Sequence, residues 1–185
     1  MSIAITRRIF TVDEYHEMAR AGILTAGDRV ELLEGEIVQM SPIGSHHAAC
    51  VNRLNRFFTM RLQNKAIVSV QNPVQLSKYS EPEPDIALLK PRSDFYLNGH
   101  PKPKDVFLLI EVAESSSSID REVKIPLYAK AGIEEVWLID LDGQRVEVYR
   151  SSSENSYTEV QKLSKTQQLS PLAFPDVLFD LQQLF

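Results

Sequence analysis

Two carboxylates stand where chemistry is possible. Asp85 follows Pro82-Glu83-Pro84 at the start of a short apolar run, and Glu111 ends the most apolar run of the chain, Val106-Phe-Leu-Leu-Ile110. An unpaired buried carboxylate is costly, so an acid at the end of a hydrophobic strand calls for a cation, a strong hydrogen-bond set or solvent. If the two runs are neighbouring strands, both acids face one point. Hard divalent ions such as Mg²⁺ (or Mn²⁺) take oxygen ligands of this kind, commonly one or two carboxylates with waters and phosphate oxygens. Asp85, Glu111 and the Val112 backbone carbonyl therefore form a candidate metal-binding set. The same spacing also fits a glutamate paired with a surface lysine or arginine and an aspartate that caps a turn.

A cation follows in the next element. Asp120 and Lys124 are four apart and share one face of a helix, and a helix packed back over the sheet carries that face to the strand ends. Lys124 can then neutralise a phosphate or position a water; an exposed i,i+4 pair with Asp120 is the plain alternative. Lys130, on the same helix, is the next candidate. His47, near a helix start, can hydrogen-bond a phosphate or a water, although a capping histidine fits equally. Glu34 and Glu36 flank Gly35, and Glu36 is a candidate extra acid or a solvated turn residue. Glu114, Asp120 and Glu122 are supporting acids near the strand–helix junction. Cys50 and Trp137 read as core residues, because no cationic surroundings activate the thiol.

The elements that must position these groups are legible in outline. Thr11-Val-Asp-Glu14 is a capping-box pattern that starts a helix over 12–20, with Gly22 as its stop. Val30–Leu33 and Glu36–Met40 flank a two-residue Glu34-Gly35 turn and predict a hairpin. From Ser45, the spacing of Ala49, Cys50, Leu54, Phe57, Phe58 and Leu62 predicts a helix of four or five turns. Short runs at 67–70, 73–76, 86–89 and 106–110 read as strands, the last covered on both faces. A helix over roughly 119–131 should kink or split at Pro126. Ser115–Ser118 and Ser151–Ser156 read as loops, 135–149 as a second hairpin, and 172–185 as a tail on the core. Together these predict an α/β (α+β) fold with a mixed β-sheet flanked by helices.

Composition bounds the rest. A chain of 185 residues with 43% hydrophobic and 24% charged residues suits one domain, 1–185, with its core over about 10–150 and a C-terminal strand and tail over 157–185 packed on it. One cysteine excludes a disulfide framework and a multi-cysteine metal site, and fits the cytoplasm. No apolar run approaches the ~20 residues that span a bilayer. A net charge of −5 gives no bulk attraction to polyphosphate, which leaves room for a local site only.

Taken in order, Pro84-Asp85, Ile110-Glu111-Val112 and Asp120-Arg121-Glu-Val-Lys124 through Tyr128, Gly132 and Trp137 to Asp140 resemble the Uma2 endonuclease family. That family is abundant in cyanobacteria and belongs to the PD-(D/E)xK nuclease-like superfamily. Glu31-Leu-Leu-Glu34-Gly35-Glu36-Ile-Val and Ser41-Pro42 … His47 match its N-terminal pattern, so the resemblance covers about residues 10–150. It implies a restriction-endonuclease-like core with an N-terminal helix and hairpin, in which Asp85 and Glu111 hold a divalent metal beside the scissile phosphate. It also implies that Glu36 is the hairpin acid. The usual lysine would stand at 113, where this chain has Ala113; relatives take it from the following helix, which maps onto Lys124. The expected activity is metal-dependent hydrolysis of DNA, by a homodimer if both strands are cut at one locus. A nuclease fold that binds nucleic acid or a partner protein without cutting is the alternative, and a structural homo-oligomer with solvated acids is a third.

Overall fold

The first helix begins where its capping residues dictate. The Thr11 hydroxyl accepts the Glu14 N–H at 3.2 Å while the Glu14 carboxylate accepts the Thr11 N–H at 2.9 Å, and α1 runs Val12–Arg20. This reciprocal cap satisfies two of the donors that a helix start leaves open. The computed structural model describes residues 7–25, 27–114 and 119–185. The loop reading of Ser115–Ser118 lies outside these residues.

Next come β1 (Val30–Leu33) and β2 (Glu36–Gln39), paired antiparallel with Leu33 opposite Glu36. Glu34 and Gly35 both take positive φ, 48° and 82°, as the favoured two-residue hairpin turn requires. A Cβ at Gly35 would lie 2.6 Å from Ile9 Cβ, so the turn also needs glycine for room. Helix α2 (Ser45–Leu62) then supplies five turns.

A six-stranded sheet follows in the order β3-β4-β5-β6-β7-β8. Its strands are β3 (Ile67–Val70), β4 (Ile86–Leu89), β5 (Val106–Ala113), β6 (Glu135–Asp140), β7 (Arg145–Ser152) and β8 (Tyr157–Ser164). Only β5 and β6 pair in parallel; the other neighbours are antiparallel. The run at 73–76 is not a strand. Pro73 has no N–H to give a ladder, and the amides of Val74, Gln75 and Leu76 instead reach Pro82, Pro101 and Ser80 carbonyls. The tail adds a two-stranded ribbon, β9 (Gln168–Leu169) with β10 (Phe179–Asp180).

The sheet divides two apolar layers. Cys50, Leu54, Phe58 and Leu62 of α2 pack with Ile86, Leu108, Ile110, Val112, Trp137 and Ile139, and the tail closes this layer through Phe179, Leu181 and Leu184. On the other face, Leu109, Ala113, Val136 and Leu138 meet Leu127, Tyr128 and Ala129 of α3 (Ile125–Lys130). Before α3 the chain makes one π-helical turn, Asp120–Lys124, in which the Ile125 N–H donates to the Asp120 carbonyl. The helix expected over 119–131 is thus split, for the expected reason. Pro126 has no amide for the carbonyl four residues back, and it sits in the first turn of α3, where that loss is harmless. Among the described residues no helix is long and apolar enough to cross a membrane.

Phe58 is fully buried beside Trp137 and Phe179. Phe58→Ala should lower stability by about 3–5 kcal/mol in chemical denaturation, the range for a large core ring removed with little collapse of the void.

Candidate active site

Strand alternation decides where the second acid points. Along β5, Leu108, Ile110 and Val112 face α2, so Leu109, Glu111 and Ala113 face α3. Glu111 is 2% exposed, and the Tyr128 hydroxyl from α3 donates to its Oε1. The antiparallel register sets Ile86 against Ile110, which brings Asp85, one residue before β4, to the end of the neighbouring strand. There the Val112 N–H donates to Asp85 Oδ2 at 2.9 Å. Asp85 Oδ1 lies 2.8 Å from His47 Nε2, at the start of α2, and accepts a 3.2 Å bond from the Gln71 side chain. Gln71 holds a positive φ of 50°, a conformation that costs a non-glycine residue about 1 kcal/mol or more and turns it back onto Asp85.

Lys124 enters from the π-helical turn. Its side chain is 6% exposed, and Nζ lies 3.1 Å from Glu31 Oε2, 3.4 Å from Glu111 Oε1 and 3.9 Å from Asp120 Oδ1. One ammonium thus ties β1, β5 and the π-helical turn together. Burial opposes its charge, but Glu111, Glu31 and Asp120 outweigh that cost and hold the ammonium above the ordinary lysine value. Ala113, where the lysine of related sites stands, is packed into the α3 layer two residues beyond Glu111.

These groups line one cleft with a cavity of about 130 Å³. Glu31, Glu83, Asp85, Glu111, Glu114 and Asp120 lie in its wall, against Lys124, Arg29 and His47 as the groups able to carry positive charge. The surplus registers in the acids. Burial, with help from Asp120 and Asp85, pushes Glu111 well above the usual carboxylate range despite Lys124. Asp120 is pushed up to about 6, mainly by burial, and Glu83 is raised by burial and by Glu31. His47 is raised above the ordinary imidazole value by its hydrogen bond to Asp85.

Two buried acids of the sheet outside the cleft, Glu135 and Glu147, are balanced differently. Glu135 accepts from Arg150 at 2.6 and 2.8 Å, from the Trp137 indole and from the Leu172 amide. Glu147 meets Arg121 at 3.2 Å and the Tyr149 hydroxyl at 2.6 Å, and although burial opposes it these bonds hold it below the usual range. Each of those acids meets a guanidinium, whereas the cleft acids Glu31, Glu111 and Asp120 face one buried ammonium.

The structure therefore brings Asp85, Glu111, Lys124 and His47 together. Val112 joins them through its N–H to Asp85. Glu36 is elsewhere: it is exposed on β2 and pairs with Arg7 at 3.0 Å. The register puts Glu31 and Glu36 on one face of the hairpin, but Glu36 stands beside the turn and is exposed, whereas Glu31, further along β1, is buried and meets Lys124. Lys130 is also outside, paired with Glu34 at 2.9 Å. Glu31 and Glu83 escaped the sequence reading, although both carried the signal that marked Glu111 and Asp85, an acid within an apolar strand and an acid between prolines. The Glu83 N–H donates to Glu31 Oε2 at 3.1 Å, so the two are coupled.

The family described as "Uma2: Putative restriction endonuclease" matches residues 12–182. The chain belongs to the Uma2 family. Its fold is nuclease-like: the Uma2 chain is similar to a solved structure from Anabaena variabilis described as "a putative nuclease belonging to DUF820". The TM-score is 0.72 over 95% of this chain and 97% of that one, at 21% identity, a likeness of fold. No curated protein matches the chain.

Removing the shared cation has a signed consequence. In Lys124→Met, Glu31 and Glu111 lose their counter-charge, and breaking a buried pair from one side costs about 3–5 kcal/mol. The folded-state values of Glu111 and Asp120, already raised, then rise further above the unfolded ones, so stability is retained at low pH, where these acids are neutral, and lost as pH rises. Urea denaturation of Lys124→Met should show a larger deficit against wild type at pH 8 than at pH 5; equal deficits would mean that the acids do not feel the lysine.

Proposed function

We propose that this Uma2 protein is a metal-dependent endonuclease that hydrolyses DNA phosphodiester bonds, with Mg²⁺ or Mn²⁺ held by Asp85 and Glu111. The observation that carries the reading is the surplus of carboxylates around Lys124 at the ends of β4 and β5. The donor set fits such an ion, because it is all oxygen and its acids are raised for want of positive charge. A bound divalent ion would supply Lewis-acid stabilisation of charge at the scissile phosphate. Water oxygen bonds to phosphorus and gives up a proton to solvent, the bond from phosphorus to one ester oxygen breaks, and the departing oxygen takes up a proton. Lys124, held between Glu31 and Glu111, offers the fixed positive charge that the pentacovalent transition state needs. His47 holds Asp85 in place through Oδ1 and, with its raised proton affinity, is the candidate donor to the departing oxygen. We further propose that two copies act as a homodimer, one site per strand of the duplex.

Metal and protons compete for the same oxygens. Asp120, near 6, is largely protonated at pH 5 and largely ionised at pH 8, and burial raises Glu111 in the same direction. Calorimetric titration should therefore show weaker Mn²⁺ binding at pH 5 than at pH 8, by about tenfold for each proton displaced per pH unit. An affinity independent of pH would remove Glu111 and Asp120 from the binding site.

Supercoiled plasmid with Mg²⁺ or Mn²⁺ tests the activity. Wild type should cleave and Asp85→Asn should lose about 10²-fold or more of the rate. A homodimer that cuts both strands gives linear product early, whereas a monomer accumulates nicked circles first. DNA binding without cleavage would instead favour the non-catalytic nuclease fold.

A further inference from the structure

Away from the cleft, three side chains from distant parts of the chain meet beside α1. His16 lies in the middle of that helix, Glu81 in the turn after residues 73–76, and His100 in the loop before β5. One potential ligand atom from each falls within 4.8 Å of the other two. His16 Nε2 is 2.6 Å from Glu81 Oε1, and the two imidazole rings have centroids 5.8 Å apart.

The backbone holds this meeting in place. The Val12 N–H donates to Lys78, the Gln75 N–H to Pro101 and the Glu81 N–H to Leu32, at 2.9, 2.9 and 2.8 Å. These bonds tie α1, the 77–81 turn, the loop at 100 and β1 to one another before any ligand is added. Glu81 is 2% exposed, and its second oxygen, Oε2, is buried with no hydrogen-bond partner among the described residues. An unsatisfied buried acceptor is costly, and each one calls for an explanation. His16 is partly open and His100 is exposed, so their rings can turn toward an ion.

We propose that His16, Glu81 and His100 form a second metal site, for a borderline transition cation of the Zn²⁺ class. Two imidazole nitrogens and one carboxylate are ligands that Zn²⁺ takes at about 2.0–2.2 Å, which places neighbouring donors of a tetrahedral site roughly 3.4 Å apart. The donors, all within 4.8 Å of one another, come to that spacing with a movement of up to roughly 1.4 Å, available to the exposed His100. Mg²⁺ prefers oxygen and keeps its waters, so this site and the carboxylate cleft sort different metals. Its role is structural: the ion would clip α1 and the loop at 100 to Glu81, whose backbone pairs with Leu32, the neighbour of Glu31.

The inference stands apart from the nuclease reading, and its test keeps them apart. Zn²⁺ is titrated calorimetrically into metal-free protein in millimolar Mg²⁺, which fills the oxygen cleft, and Co²⁺ replaces it for visible spectroscopy. Wild type and Asp85→Asn should each bind one Zn²⁺, gain thermal stability, and give the intense Co²⁺ absorption of a four-coordinate site. His100→Ala, a surface change that leaves the fold intact, should weaken Zn²⁺ binding by at least about 100-fold, and His16→Ala likewise. Failure of wild type to bind Zn²⁺, or binding unchanged in His100→Ala, would overturn the proposal. Loss of Zn²⁺ binding in Asp85→Asn with full binding in His100→Ala would also overturn it, by assigning the ion to the cleft.

Discussion

Everything at the business end of this protein depends on one buried ammonium. Lys124 contacts carboxylates from β1, β5 and its own π-helical turn, three pieces of chain that share no backbone ladder. Its charge cannot be satisfied by any one of them, so their positions are set together. The widened turn matters here: by carrying its hydrogen bond over one extra residue before Pro126, the chain redirects the helix entry and delivers Lys124 inward rather than to solvent.

A buried ion cluster is a poor way to make a protein stable. Desolvating several acids around one cation commonly costs more than their attraction returns, and apolar residues of similar size would hold the same volume better. Glu135 and Glu147 show that this sequence can place an arginine against a buried acid elsewhere in the sheet. That it does not do so around Glu111 is the physical mark of a site kept electrostatically unsatisfied, the place where stability is surrendered for function.

The sheet was readable from the sequence because its signals are local. Unbroken apolar runs announced β4 and β5, the glycine at 35 announced the first hairpin, and the 3.6-residue spacing of Leu54, Phe58 and Leu62 announced α2. Lys124 was readable for a different reason, since a family pattern supplied what spacing left open. The hairpin acid is Glu31 and not Glu36 because the two share one face of the hairpin, and only the packing of the fold shows that the turn end carrying Glu36 stays exposed while Glu31 is covered. Gln71 carries no such local signal, because its role comes from the fold of the 71–85 segment, a stretch of irregular backbone that brings it back onto Asp85. The 73–76 run was mistaken for a strand because apolar residues next to proline resemble one when no partner is in view.

The parallel pairing of β5 with β6 ties the sheet's connection to the cleft's composition. Antiparallel neighbours β4 and β5, or β6 and β7, need only a turn or loop between them, but a parallel pair needs a chain that crosses over the sheet. That crossover carries Asp120, Lys124 and Tyr128. The stretch that makes the parallel pairing possible is therefore the one that brings an ammonium and a hydroxyl to Glu111, so neither the sheet's connection nor the cleft's charge balance can be altered without the other.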